Sequence, residues 1–215
     1  MKPLADCRLY AFIDSAYLHG RSPELLAEQL SRGGSDLVQL RAKELDTERV
    51  REIATRVCPI LQKFGVGLVI NDFPSVTNSV RADICHLGQE DFFDAGHNHR
   101  RDLPLASSIG VGLSSHSPEQ AARAVATGAD YVAIGPVYST NTKPTARATG
   151  LDFVRWAANN VTIPWFAIGG INLGNLDRVI AAGARRVCVV SAILDAPDVA
   201  AACHEFKKRL ASVPT

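Results

Sequence analysis

The chain has 215 residues, of which 47% are hydrophobic and 21% charged, and its formal net charge is +1. This balance argues against nucleic acid or a membrane surface as the main partner, and no apolar run reaches the roughly 20 residues of a membrane span. The length is enough for one well-buried core.

The N-terminal stretch MKPLADCRLYAF has neither the apolar core nor the small-residue cleavage site of a signal peptide, which predicts a cytoplasmic protein. Five cysteines, Cys7, Cys58, Cys85, Cys188 and Cys203, are widely spaced and form no CxxC pair. They read as buried thiols, without a disulfide framework or a zinc site.

Residues 8–13 form the first strand-like run. Ser22-Pro23-Glu24 then opens a helix, with a capping hydroxyl ahead of proline at the first helical position, and Gly33-Gly34 ends it. The second strand covers 36–40. A helix follows over 46–64, with Val50, Ile53, Ala54, Val57, Ile60 and Leu61 at helical spacing. The third strand covers 66–70, a short helix 74–81 and the fourth strand 82–87.

Residues 91–105 lack periodicity and read as a loop holding one turn of helix. His97 and His99 lie there, and with no third nitrogen or thiolate ligand nearby they read as surface residues. The fifth strand covers 109–113, and Ser117-Pro118-Glu119 opens a helix that Gly128 ends. The sixth strand, 131–134, breaks at Gly135-Pro136 and runs into a polar loop with Thr140, Thr142 and Lys143. A helix over 151–159, a seventh strand over 165–168, a helix over 172–182, an eighth strand over 186–190 and a closing helix over 197–211 complete the chain.

Eight apolar strands alternating with helices predict a parallel sheet covered on its faces. With no linker between units, the chain reads as one domain over 1–215, a single (β/α)8 barrel. A doubly wound open sheet is the alternative. It more often carries a Gly-rich phosphate loop after its first strand, and Ile13-Asp14-Ser15-Ala16 is not one.

In such a barrel, function gathers at the C-terminal ends of the strands. Those positions hold Gln39, Arg41 and Lys43, which alternate and so share one face; Asn71 and Asp72; His86, Gly88, Gln89, Glu90 and Asp91; Ser114 and His116; Thr140, Thr142 and Lys143; Gly169-Gly170; and Ser191. Three cations, Arg41, Lys43 and Lys143, suit a polyanion such as a diphosphate. Asp72 and Asp91 are hard oxygen donors, which beside a diphosphate suit Mg²⁺. The turns at Gly169-Gly170 and Val190-Ser191 lie where barrels often bind a phosphomonoester through backbone N–H groups. Each feature also has a plainer reading: Asp72 as a helix cap, Gly169-Gly170 as a tight turn, Arg41 paired with Glu44 on the surface.

The motifs QLRAK (39–43), Asn71-Asp72, HLGQED (86–91), GLSSH (112–116), GPVYSTNTK (135–143), AIGGI (167–171) and VSAI (190–193) resemble, in this order, those of the thiamin-phosphate synthase family. That resemblance implies a transferase of thiamine biosynthesis. It would join 4-amino-2-methyl-5-hydroxymethylpyrimidine diphosphate to a thiazole ethyl phosphate and release diphosphate, with CO₂ also lost from the carboxylated thiazole.

Carried over residue by residue, the resemblance assigns the pyrimidine diphosphate to Gln39, Leu40, Arg41, Ala42, Lys43, Asn71, Ser114 and Lys143. Of these, Arg41, Lys43, Ser114 and Lys143 would be catalytic, with Arg41, Lys43 and Lys143 stabilising the charge of the departing diphosphate. It assigns Mg²⁺ to Asp72 and Asp91, and the thiazole phosphate to Thr140, Asn141, Thr142, Gly170, Val190 and Ser191. Two departures stand out. Ala42 occupies a position where family members often carry glutamate, and Pro144-Thr145 replaces the more usual run toward an aspartate.

A related thiazole tautomerase shares the QLR-type strand and the GG turn but lacks the aspartate pair. A non-catalytic binder of thiamin intermediates is the remaining alternative. Small-molecule substrates are the expected partners, and association of like chains is left open.

Overall fold

The computed structural model describes residues 1–140, 142 and 147–212. Within them, β1 (Leu9–Asp14), β2 (Leu37–Arg41), β3 (Gly67–Asn71), β4 (Ile84–Leu87), β5 (Gly110–Ser115), β6 (Tyr131–Ile134), β7 (Trp165–Ile168) and β8 (Val187–Cys188) close in sequence order into one barrel. Every neighbouring pair is parallel, including β1 with β8. This is the predicted (β/α)8 architecture.

The helices α1 (Pro23–Arg32), α2 (Thr47–Lys63), α3 (Pro74–Val80), α4 (Gln89–Phe93), α5 (Pro118–Ala126), α6 (Gly150–Asn160), α7 (Leu176–Ala181), α8 (Ser191–Leu194) and α9 (Val199–Ala211) connect the strands or close the chain. Among the described residues, no helix is long and apolar enough to cross a membrane.

The strands form here because they are apolar on both faces. All six residues of β1 are buried, as are all those of β3, β4 and β6. Leu9, Ala11 and Ile13 alternate along β1 with Tyr10 and Phe12, which line the interior cavity, as the period of two requires. Tyr10, Tyr131 and Phe166 meet edge to face inside the barrel, with ring centroids 5.4–5.9 Å apart.

Helix starts follow the expected capping chemistry. The hydroxyls of Ser22 and Ser117 accept from the backbone N–H groups of Leu25 and Gln120, each ahead of a proline at the helix start. All five cysteines are free and buried.

Several expected boundaries move, each for a local reason. The helix expected over 172–182 begins only at Leu176, because Asn172 and Asn175 use their side chains on nearby backbone: Asn175 Oδ1 accepts from Asn172 N, and Asn172 Oδ1 accepts from Gly174 N. The eighth strand stops at Cys188, because Val190 leaves the extended region and Ser191 opens α8. The stretch expected as a loop from 91 onward begins inside α4, and a 3-10 turn covers Arg100–Asp102. His99 caps that turn by accepting from Arg101 N, which is a structural use of its ring.

Candidate active site

The C-terminal mouth of the barrel opens into a cavity to which all eight strands or their following loops contribute. Gln39, Arg41, Lys43, Asn71, Asp72, Asp91, Ser114, Thr140, Thr142, Gly170, Val190 and Ser191 all line it. These residues, distant in sequence, meet on one rim.

Leu40 and Ala42 do not line it. They are buried on the opposite side of the alternation that brings Gln39, Arg41 and Lys43 inward. Of residues 39–43, it is therefore alternate ones whose side chains line the cavity. Asn141 and Lys143 lie outside the described residues, as do Pro144 and Thr145.

Asp72 is held in a left-handed conformation, with φ 64°, an uncommon state for a residue with a side chain. It does not cap the next helix: Phe73 holds the cap position of α3 and makes no side-chain capping bond. Instead Asn71 Nδ2 donates to Asp72 Oδ2 at 2.6 Å, and the Lys43 ammonium lies 3.9 Å from the same oxygen.

Burial pushes the Asp72 carboxyl above its ordinary range. The negative charge of Asp91 adds to this, while Lys43, Asn71 and Arg41 oppose it. Asp72 and Asp91 both line the cavity, close enough for the charge of one to act on the other. Among the described residues, no group of three or more His, Cys, Asp or Glu side chains is arranged to hold a metal. The donor chemistry of two carboxylates fits a hard cation such as Mg²⁺ only if water or ligand oxygens would complete its shell.

Arg41 is anchored from a direction the sequence reading missed. Its Nη1 donates to Asp14 Oδ2 at 2.7 Å, and Asp14 is fully buried at the end of β1. Asp14 also accepts from Ala16 N through Oδ1. The alternative pairing of Arg41 with Glu44 is absent from the described ion pairs, and the guanidinium is presented at the cavity wall.

Beneath the charged rim runs a buried polar line. Gln39 Nε2 donates to the Tyr10 hydroxyl at 2.6 Å, and the Tyr10 and Tyr131 hydroxyls lie 3.0 Å apart. Tyr131 Oη is 2.7 Å from His86 Nδ1, and His86 Nε2 is 2.9 Å from Ser114 Oγ. In the sequence Tyr10, Phe12 and Tyr131 stand only as members of the strand-like runs 8–13 and 131–134. A period of two taken backward from Asp14 to Phe12 and Tyr10 was the available signal. Gln89, by contrast, turns away and donates to Gln120 O.

On the opposite side of the mouth, Gly169 and Gly170 adopt φ values of 103° and 62°, and Asn175 Nδ2 donates to Gly170 O at 2.9 Å. Tyr17 from the first loop reaches across to Thr142, with hydroxyls 3.1 Å apart.

A closed parallel barrel with cations, paired carboxylates and glycine turns gathered at its strand C-termini defines a (β/α)8 enzyme acting on small anionic molecules. Residues 9–193 match the family model described as thiamine monophosphate synthase, and the chain belongs to that family. It is 45% identical over 187 residues to the thiamine-phosphate synthase of Thermus thermophilus, covering 86% of this chain and 88% of that protein. It is 44% identical over 218 residues to the thiamine-phosphate synthase of Acidothermus cellulolyticus, covering 97% of each. Among solved structures, the thiamine phosphate pyrophosphorylase of Pyrococcus furiosus superposes with a TM-score of 0.83 at 27% identity, over 100% of both chains.

Proposed function

We propose that this chain joins an aminopyrimidinylmethyl diphosphate to a thiazole phosphate, with both substrates held in the one cavity at the barrel mouth. The C–O bond between the methylene carbon and the diphosphate breaks, and its electron pair leaves with the diphosphate. The lone pair of the thiazole nitrogen then forms the new C–N bond. A carboxylated thiazole additionally loses CO₂.

The observation that carries this reading is the convergence of Arg41, Lys43, Asp72 and Asp91 on one rim. Arg41, fixed by Asp14, and Lys43 place positive charge where the departing oxygens accumulate negative charge. The resemblance adds Lys143 to this set. Asp72 and Asp91 would hold Mg²⁺, which when bound supplies further charge neutralisation to the diphosphate.

Gln39, Asn71 and Ser114 supply hydrogen-bonding groups for the pyrimidine side of the cavity. Thr140, Thr142, Gly170, Val190 and Ser191 form the side assigned to the thiazole phosphate. Holding both rings in one enclosed site sets the nitrogen against the carbon that loses diphosphate. No protein nucleophile or general base is required by these bond changes.

The test is diphosphate release by the purified chain given both substrates and Mg²⁺. Turnover that needs both substrates supports the reading. Binding of the two without product would identify a binding module, and conversion of the thiazole alone would identify a tautomerase.

A further inference from the structure

The loop between β1 and α1 ties together two parts of the cavity wall that come from β6 and β8, with β7 between them. His19 and Gly20 both lie in the left-handed region, with φ 48° and 76°, and Arg21 N donates to Leu18 O at 2.9 Å. This tight turn brings the Arg21 side chain back onto its own loop. Its Nε donates to Leu18 O, and its Nη2 donates both to Tyr17 O at 2.9 Å and to Leu194 O at 2.6 Å. A second tie joins His19 Nε2 to Asp195 Oδ1, 2.7 Å apart. Leu194 and Asp195 end α8, the short helix whose first residue, Ser191, lines the cavity.

From this anchored loop the Tyr17 hydroxyl reaches Thr142 Oγ1, 3.1 Å away in the loop after β6. The Tyr17 ring is half-buried and packs against the core, so its hydroxyl sits on a stiff stem with only two torsions. Each of the two hydroxyls has one proton to give. If Thr142 donates to Tyr17, it offers the cavity only lone pairs, which an anion repels. If Tyr17 donates, the Thr142 proton turns to the cavity, and the bond that Thr142 accepts strengthens it as a donor. An anion in the cavity therefore selects the second sense.

Resting on the thiazole-phosphate reading above, we propose that Tyr17 is a positioning residue that fixes the Thr142 hydroxyl as a donor to the phosphate of the thiazole substrate. Arg21 supplies the anchor. Through Leu194 it holds Tyr17, and with it Thr142, at a set spacing from Ser191, so that the two sides of the phosphate site move as one. Gln39, Arg41, Lys43, Asn71 and Ser114, on the pyrimidine diphosphate side, come from the ends of β2, β3 and β5. The effect of Tyr17 should therefore fall on one substrate.

The experiment measures the Kd of the thiazole ethyl phosphate and of the aminopyrimidine diphosphate by calorimetry, in the full-length chain, for Tyr17→Phe, Thr142→Val and the double variant. Tyr17→Phe keeps the ring and removes only the hydroxyl, so the melting temperature should stay within about 3 °C of the unaltered chain. It should weaken the thiazole phosphate about fivefold, the worth of one hydrogen bond, and change the pyrimidine diphosphate Kd by less than about twofold. Added to Thr142→Val, the same substitution should cost less than about twofold. Arg21→Met cuts the anchor and should weaken the thiazole phosphate at least about twofold, again with little change for the pyrimidine diphosphate.

An unchanged thiazole phosphate Kd in Tyr17→Phe overturns the proposal, as does an equal loss for both ligands or a full loss that persists beside Thr142→Val. An unchanged Kd in Arg21→Met overturns the anchoring role. Failure of the unaltered chain to bind the thiazole phosphate overturns the proposal as well. Binding that depends on Tyr17, without turnover, would defeat the functional reading alone and leave the role of Tyr17 standing.

Discussion

Arg41 Nη1 lies 2.7 Å from Asp14 Oδ2, and this bond ties the ends of β1 and β2 together at the cavity wall. The carboxylate is fully buried and the guanidinium side chain is only 18% exposed. A pair this enclosed fixes the direction in which the guanidinium fork points.

Asp14→Ala should therefore do two things. It leaves a largely buried cation without its partner, at a cost of about 3 kcal/mol in unfolding stability. It also frees Arg41, so the KM for the diphosphate substrate should rise more than that for the thiazole phosphate. Urea unfolding and steady-state kinetics check both parts. Unchanged stability with unchanged KM would show that Arg41 is held by other contacts.

Gly88 lies just ahead of α4, and a Cβ there would come within 2.5 Å of Asp91 Oδ2. Its backbone φ of −65° is open to any residue. Gly88→Ala should leave the melting temperature nearly unchanged while displacing the Asp91 carboxylate. The Mg²⁺ concentration for half-maximal turnover should rise several-fold, about the 10-fold scale seen when groups that orient a metal ligand are disturbed. An unaltered Mg²⁺ requirement would separate Asp91 from the cation.

Burial, then the charge of Asp91, raises the Asp72 carboxyl above its ordinary value of 3.8. The folded chain thus holds this proton more tightly than the unfolded chain does. The contribution of Asp72 to stability is fully present below 3.8 and is lost as pH rises through the raised value. A divalent cation competes with that proton, so added Mg²⁺ should stabilise the chain more at pH about 7 than at pH about 4. Melting curves with and without Mg²⁺ at the two values measure this. Equal stabilisation at both would contradict the assignment, and Asp72→Asn should remove the difference.

Much of the fold was legible because a parallel barrel strand is apolar on both faces: residues 131–134 and 165–168 have the bounds their apolar runs suggested. The rim was legible for a different reason. Polar residues such as Asn71, Asp72 and Asp91 stand out where an apolar run ends. What lay inside the runs was hidden. Tyr10 and Tyr131 look like core in a sequence, and only the closed barrel shows their hydroxyls joined into a polar line between Gln39 and Ser114. Asp14 was passed over because its loop lacks phosphate-binding glycines, although its partner is a side chain from the next strand. The side chains of Leu40 and Ala42 do not line the cavity: a motif is read as a block, whereas a strand presents alternate residues. The late start of α7 came from asparagine side chains competing for backbone N–H groups, a local choice that periodicity does not register.

The most direct measurement is the rate of diphosphate release for the unaltered chain and for Asp91→Asn across a Mg²⁺ titration, with both substrates saturating. The account predicts Mg²⁺-dependent turnover in the unaltered chain and a loss of about 100-fold or more in the variant, with folding intact by circular dichroism. Equal rates and equal Mg²⁺ dependence in the two proteins would contradict it.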